Sequence, residues 1–146
     1  MANVFFNRAK YELVNGKINW NNDTIKIALM NNSFSTPTAS SYDTWSQVSS
    51  YECSGTGYTA GGLTLSNKTL TEDDINNKAI ADAGDPTWTG INVGTIKGAM
   101  IYKSTGTPST STLICWIDTG GFPITTNGGD ITIQFNASGI FNLIDG

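Results

Sequence analysis

The chain has 146 residues and a net charge of −4, with one arginine, Arg8, and no histidine. That length suits one domain able to bury its own core. Scattered lysines argue against a nucleic-acid binder, whose phosphate contacts need clustered Lys and Arg. The missing histidine removes the commonest general base and metal ligand, together with every Ser-His or Cys-His pair.

Charged residues make up 14% of the chain, against roughly 25% in an average soluble domain. Gly, Ser, Thr and Asn fill the difference, a mixture that suits strands and turns better than long helices. No apolar run reaches the ~18 residues of a membrane span. The start, "MANVFFNRAKYELVNG", lacks a basic stretch followed by an apolar block, so no signal peptide is expected.

In chain order, Phe6, Ala9 and Leu13 recur at helical spacing, and Asn15-Gly16 follows with the residue types that end a helix. A short helix from Phe5 to Val14 is expected, within an N-terminal arm of residues 1–16. "TIKIALM" alternates Ile25, Ile27 and Leu29 with Thr24, Lys26 and Ala28, the pattern of a half-buried strand. A long Ser- and Pro-rich connection follows, in which Ser41 is placed to cap a brief helical turn carrying Trp45 and Val48.

The next stretch, "GTGYTAGGLTLSNKTLT", sets Gly55, Gly57, Gly61 and Gly62 around Tyr58. A phosphate-binding loop needs G-x-x-x-x-G-K-[ST] leading into a helix. Here Leu63 and an alternating strand follow, and no lysine stands near. The glycines are expected to serve a bend where positive φ or close backbone approach rules out a Cβ. Tyr58 is expected to lay its ring on the sheet edge with its hydroxyl at the surface.

"TEDDINNKAIADAGDPTW" is acidic, with a short strand expected around Lys78–Ala83 and a turn at Asp85-Pro86. Its carboxylates do not follow a calcium-binding loop, and a solvated acidic loop is expected, with no metal and no cofactor. "GTIKGAMIYK" and "LICWID" flank a turn-rich linker and predict a hairpin, and Asn127-Gly128 predicts a second one. "GIFNLI" closes the chain as a strand. Cys53 and Cys115 can pair, but two separate small apolar thiols are the expectation.

Strands recurring about every ten residues between Gly, Asn, Ser and Pro predict an all-β fold. The expected architecture is a single-domain antiparallel β-sandwich (jelly-roll or Ig-like) over residues 1–146, with a short N-terminal helix. Asp118 and Asp130 at strand ends are the residues to weigh for paired-carboxylate chemistry, but no supporting motif accompanies them, and an enzyme is not expected. Trp116 lies out of phase with Cys115 and Ile117, so it is expected to face away from the main core and to mark a contact surface. Phe5 and Phe6 are adjacent aromatics that a short helix cannot aim at one core, so the arm is expected to be a second contact.

Three stretches, "GTGYTAGGLTLSNKTLT", "GAMIYKSTGTPSTSTLICWID" and "NGGDITIQFNASGIFNLID", carry a resemblance over nearly the whole length. In their order the chain resembles the small virion structural proteins of tailed bacteriophages. The resemblance implies a capsid decoration (cement) protein on the outer surface of the virion, made in the bacterial host cytoplasm. Its partner would be the major capsid protein, and it would self-associate as a trimer; it brings no catalytic motif. A neck, tail or fibre-base component is the nearest alternative. A carbohydrate-binding module using Trp20, Trp45, Trp88 and Trp116 is the alternative from another class.

Overall fold

The computed structural model describes residues 3–144. In chain order its elements are β1 (Val4–Phe5), α1 (Asn7–Val14), β2 (Ile25–Asn31), β3 (Leu63–Thr64), β4 (Thr69–Asp73), β5 (Lys78–Asp82), β6 (Thr87–Trp88), β7 (Thr95–Lys103), β8 (Leu113–Ile117), β9 (Ile124–Thr125), β10 (Ile131–Thr132) and β11 (Phe141–Ile144). Short 3-10 turns cover Trp45–Gln47, Ser49–Tyr51 and Pro108–Thr110. The fold is an all-β sandwich of antiparallel sheets with one short helix.

The large sheet runs β1-β8-β7-β2-β3, with β9 also paired to β7. Strand β7 is its axis, holding β2 along one side from Lys103↔Ile25 to Ile96↔Asn31 and β8 and β9 along the other. The second layer is a three-stranded sheet, β11-β5-β4, and a two-stranded one, β10-β6. Residues 63–73 do not form one strand. Leu63–Thr64 pairs with β2, Asn67 takes a positive φ of 51°, and the chain crosses to the second layer as β4.

Both faces of the large sheet are covered. On one face Ile25, Ile27, Leu29, Ala99, Ile101, Cys115 and Ile117 meet Trp20, Leu65, Ala81, Trp88 and Phe141 of the second layer and its flanking segments. On the other, Ala28, Met30, Met100, Tyr102 and Trp116 meet Phe34, Trp45 and Val48. That second cover is the 31–51 connection, folded back as a lid. Trp45 stacks on Tyr102 at 4.5 Å between centroids, and Phe34 packs on Trp116 at 5.0 Å.

β2 is therefore buried on both faces, not half-buried as its alternation predicts: Ala28 and Met30 are as enclosed as Ile27 and Leu29. In the lid, Gln47 and not Ser41 organises the first 3-10 turn. Its side-chain oxygen accepts from the Asp43 and Thr44 N–H groups at 2.7 and 2.9 Å, while Ser41 Oγ accepts from Thr38 N–H.

The helix begins at Asn7, two residues later than its spacing predicts, because Val4–Phe5 is taken up as a strand on β8. It ends where expected: Gly16 has φ +72° and its N–H donates to Leu13 O. Ala9 and Glu12 form its buried face. The Glu12 carboxylate accepts from Arg8 Nε at 2.9 Å and from the Thr112 hydroxyl at 2.6 Å, which ties the helix to the approach of β8.

Asn127-Gly128 does not close a hairpin. β9 pairs with β7 and β10 with β6, so the two flanking strands belong to different sheets. The turn chemistry is real, with Gly128 at φ +90°. Its neighbours are drawn elsewhere. Buried Thr126 accepts from Val93 N–H and donates to Gly94 O, both at 2.8 Å, and Gly128 N–H donates to Ile91 O. Tertiary bonds to the 90–94 segment outcompete local pairing.

Candidate interaction surface

The glycine bend closes the free side of β2. Gly62 lies so close to that strand that a Cβ on it would stand 1.9 Å from Ile27 O, and its φ is +79°. The approach lets the Tyr58 hydroxyl accept the Leu29 N–H at 3.0 Å and donate to Glu52 Oε1 at 2.7 Å. Gly61 N–H donates to the same carboxylate oxygen, and the Tyr102 hydroxyl donates to Gly61 O at 2.7 Å. The Tyr58 hydroxyl is thus a plug in the sheet's hydrogen-bond ladder, not a surface group as its position in the sequence suggests. The bend's glycines have a structural task, a Cβ-free approach of one backbone to another.

Burial pushes the Glu52 carboxyl above the ordinary glutamate value, against the opposing hydrogen bonds from Tyr58 and Gly61 and the charge of Lys26. A carboxyl with a raised folded-state pKa binds its proton more readily folded than unfolded. Its contribution is complete below the unfolded pKa and is lost as pH rises through the folded pKa. Glu52→Gln keeps the accepting oxygen and removes the titration. Thermal unfolding at pH 4 and pH 7 is expected to show wild type gaining on Glu52→Gln at the lower pH; a constant gap between the two proteins contradicts this.

Of the three expected contact residues, Phe6 and Trp116 lie in the interior and Phe5 is half-buried. Phe6 and Trp116 have no exposed area. Strand alternation sends Phe5 and Phe6 to opposite faces of the large sheet, Phe5 against Phe141 at 4.6 Å and Phe6 into the cluster under the lid. Two adjacent aromatics thus fill two cores, which a single-core reading cannot accommodate. Trp116 does face away from Cys115 and Ile117, but the Phe34 segment covers it. All four tryptophans are buried, so none presents a ring face on which a sugar could stack.

Cys53 and Cys115 are free, buried thiols, and burial pushes Cys53 up to about 11 and Cys115 further. The carboxylates serve the fold as well. Asp130 accepts from Gly90 N–H at 2.8 Å, Asp85 from Phe135 N–H at 2.8 Å, and Asp73 takes both the backbone and side-chain N–H of Asn76. Asp118 is buried beside the Thr36 hydroxyl at 3.4 Å. Among the described residues no group of three or more Cys, Asp or Glu could hold a metal ion, and no helix is long and apolar enough to cross a membrane.

What the surface offers is an apolar groove of about 460 Å³ between the end of α1 and the three-stranded sheet. Leu13, Val14, Ile18 and Trp20 form one wall; Leu70, Ala81, Phe141 and Leu143 form the other. The pairing β4-β5-β11 explains the second wall, since Leu70, Ala81 and Phe141 stand in one cross-strand row and Ala79 and Leu143 in the next. No charged side chain lines the groove. Val14 is 90% exposed, Leu70 53% and Leu143 43%. Sequence reasoning does not single these residues out: Leu70 and Leu143 sit in strands, where an apolar side chain is ordinarily buried, and Val14 is a lone apolar residue at the helix end, off the Phe6-Ala9-Leu13 face.

Comparison with protein-family models, with curated proteins and with solved structures gave no match.

Proposed function

We propose that this is a bacteriophage virion structural protein, a capsid decoration protein that binds the major capsid protein and stabilises the head shell. The observation that carries the reading is a body stiffened on both faces of one sheet, with an uncharged apolar groove left open on its flank. A contiguous apolar surface on an otherwise polar chain is the mark of a protein-contact site. The order of sequence features that resembles small virion proteins supplies the setting.

The mechanism follows from rigidity and multiplicity. A small domain that touches neighbouring shell subunits must be released from all of them before the junction between them opens. Once one contact is made the next is effectively intramolecular, so each can be modest. A doubly covered sheet transmits load because its packed cores have little free volume to yield. Self-association belongs to this reading, as a trimer at local threefold positions. A neck, tail or fibre-base position uses the same physics at a lower copy number.

Counting this chain against the major capsid protein in purified particles tests the proposal. A ratio that scales with the number of shell subunits is the expected result. A few copies per particle assigns the protein to the neck or tail, and its absence from particles overturns the virion reading.

A further inference from the structure

The apolar groove opens at one end onto charge. Leu70, Ala81 and Phe141 form one cross-strand row of the three-stranded sheet, and Glu72, Ala79 and Leu143 form the next row on the same face. Ala79 and Leu143 border both the groove and a second pocket of about 360 Å³, which Glu72, Asp73, Asp74 and Lys78 also line. Asp73 is held by Asn76, but neither Glu72 nor Asp74 has a side-chain partner among the described residues. Three carboxylates therefore stand there against one ammonium, Lys78. β4 is exposed from Thr69 through Glu72, so this end of the sheet stands clear of the body on both faces. Val14, Leu70, Ile75, Leu143 and Ile144 are five of the seven large apolar side chains exposed among the described residues, so apolar exposure gathers at this groove and the turn beside it.

We infer that the groove and the acidic pocket together receive a segment of a partner protein that carries an apolar anchor and, about 7 Å from it, a Lys or Arg; that is the separation of successive same-face residues in a strand, here Leu70 and Glu72. Two residues of an extended segment, or about one turn of a helix, span that distance. The anchor takes Leu70, Val14 and Leu143 out of water, and the cation meets the unpartnered carboxylates of Glu72 and Asp74. The sign of the charge selects the class of partner. Carboxylates beside the groove repel the phosphates of nucleic acid and of anionic lipid, and they attract a basic side chain. The inference rests on the capsid-binding reading and names the chemistry that the major capsid protein presents at this contact.

Adding the purified full chain back to heads that lack it, at low and at high salt, tests this. Wild type is expected to bind, and to bind more weakly at high salt, because salt screens charge across a contact. Glu72→Gln is expected to raise the dissociation constant about two- to fivefold at low salt and to flatten the salt dependence. Leu70→Ser is expected to raise it at least about tenfold, as loss of an apolar anchor does, with the salt dependence retained. Thr71→Lys makes the same change in net charge as Glu72→Gln on the opposite face of the strand, and it is expected to leave binding unchanged. Circular dichroism checks that each variant is folded, and Val14→Ser, at a side chain 90% exposed, replaces Leu70→Ser if that variant does not fold. Wild-type affinity indifferent to salt, full affinity in Glu72→Gln or in the apolar variant, or equal weakening by Thr71→Lys overturns the inference and leaves the capsid reading standing. Heads that bind no wild type remove both. Self-association of wild type in sedimentation equilibrium that is lost in Leu70→Ser gives the groove to a second copy, and it overturns the inference as well.

Discussion

Gly62→Ala lowers the stability of the protein by at least about 3 kcal/mol, and the loss is read directly as a fall in the midpoint of thermal or urea unfolding. Two effects combine. The residue holds a φ of +79°, a conformation that costs a side-chain-bearing residue about 1–3 kcal/mol. The new Cβ would also stand 1.9 Å from Ile27 O and 2.8 Å from Ala28 Cα, and these are backbone atoms of a central strand that cannot swing aside. Relief requires the bend to lift from β2, which withdraws Tyr58 from Leu29 N–H and leaves a buried donor unpaired, a further cost of about 1–3 kcal/mol. Gly16→Ala separates the two effects. Its φ is +72°, but a Cβ there meets nothing within 4 Å. Only the conformational cost remains, so Gly16→Ala is expected to be clearly the milder change. Equal losses at the two positions would show that the close approach at Gly62 carries no weight.

Trp116→Ala costs about 3–5 kcal/mol, the range for truncating a large aromatic in a packed core. The indole is fully buried between the sheet and the lid, 5.0 Å from the Phe34 ring. It is also packed so closely on Gly98 that a Cβ there would stand 2.5 Å from the indole ring. Removing it leaves the 31–51 lid without its main support, and the lid should then become open to protease before the rest of the domain. Trp116→Phe is the informative control. The indole N–H of Trp116 has no hydrogen-bond partner among the described residues, so phenylalanine gives up no bond and relieves a buried donor, and it should cost far less than alanine. A protein that tolerates Trp116→Ala with little change would place this residue at a surface, as its phase in the sequence alone suggests.

These two positions show what a linear reading can and cannot reach. The β7–β8 hairpin, the strand at Ile25–Asn31 and the end of α1 follow from local chemistry: alternation, turn residues, a glycine after the helix. The crowding of glycines before Leu63 also announces a bend without phosphate chemistry. What the chain does not display locally is which partner each strand finds. Asn127-Gly128 has the residues of a hairpin, yet Thr126 and Gly128 are bonded to the 90–94 segment, and the flanking strands part company. The alternation around Trp116 correctly places it opposite Cys115 and Ile117. It cannot tell that Phe34, some eighty residues earlier, covers that face. Phe5 and Phe6 mislead for the same reason, since two cores on one sheet give each ring its own. The groove beside β11 is hidden in the converse way. Leu70 and Leu143 look like core residues, and only the assembled layers reveal that nothing within the described chain covers them.

The central claim, that this domain acts by binding and bracing a shell, is tested most directly on heads that lack it. Purified protein is added back to such heads, the amount bound per capsid subunit is measured, and the temperature at which the heads open is recorded. The account predicts saturable binding in fixed ratio to the capsid subunits, together with a higher opening temperature that falls back when binding is prevented. Heads that bind none of the protein, or that bind it and open at an unchanged temperature, would contradict it.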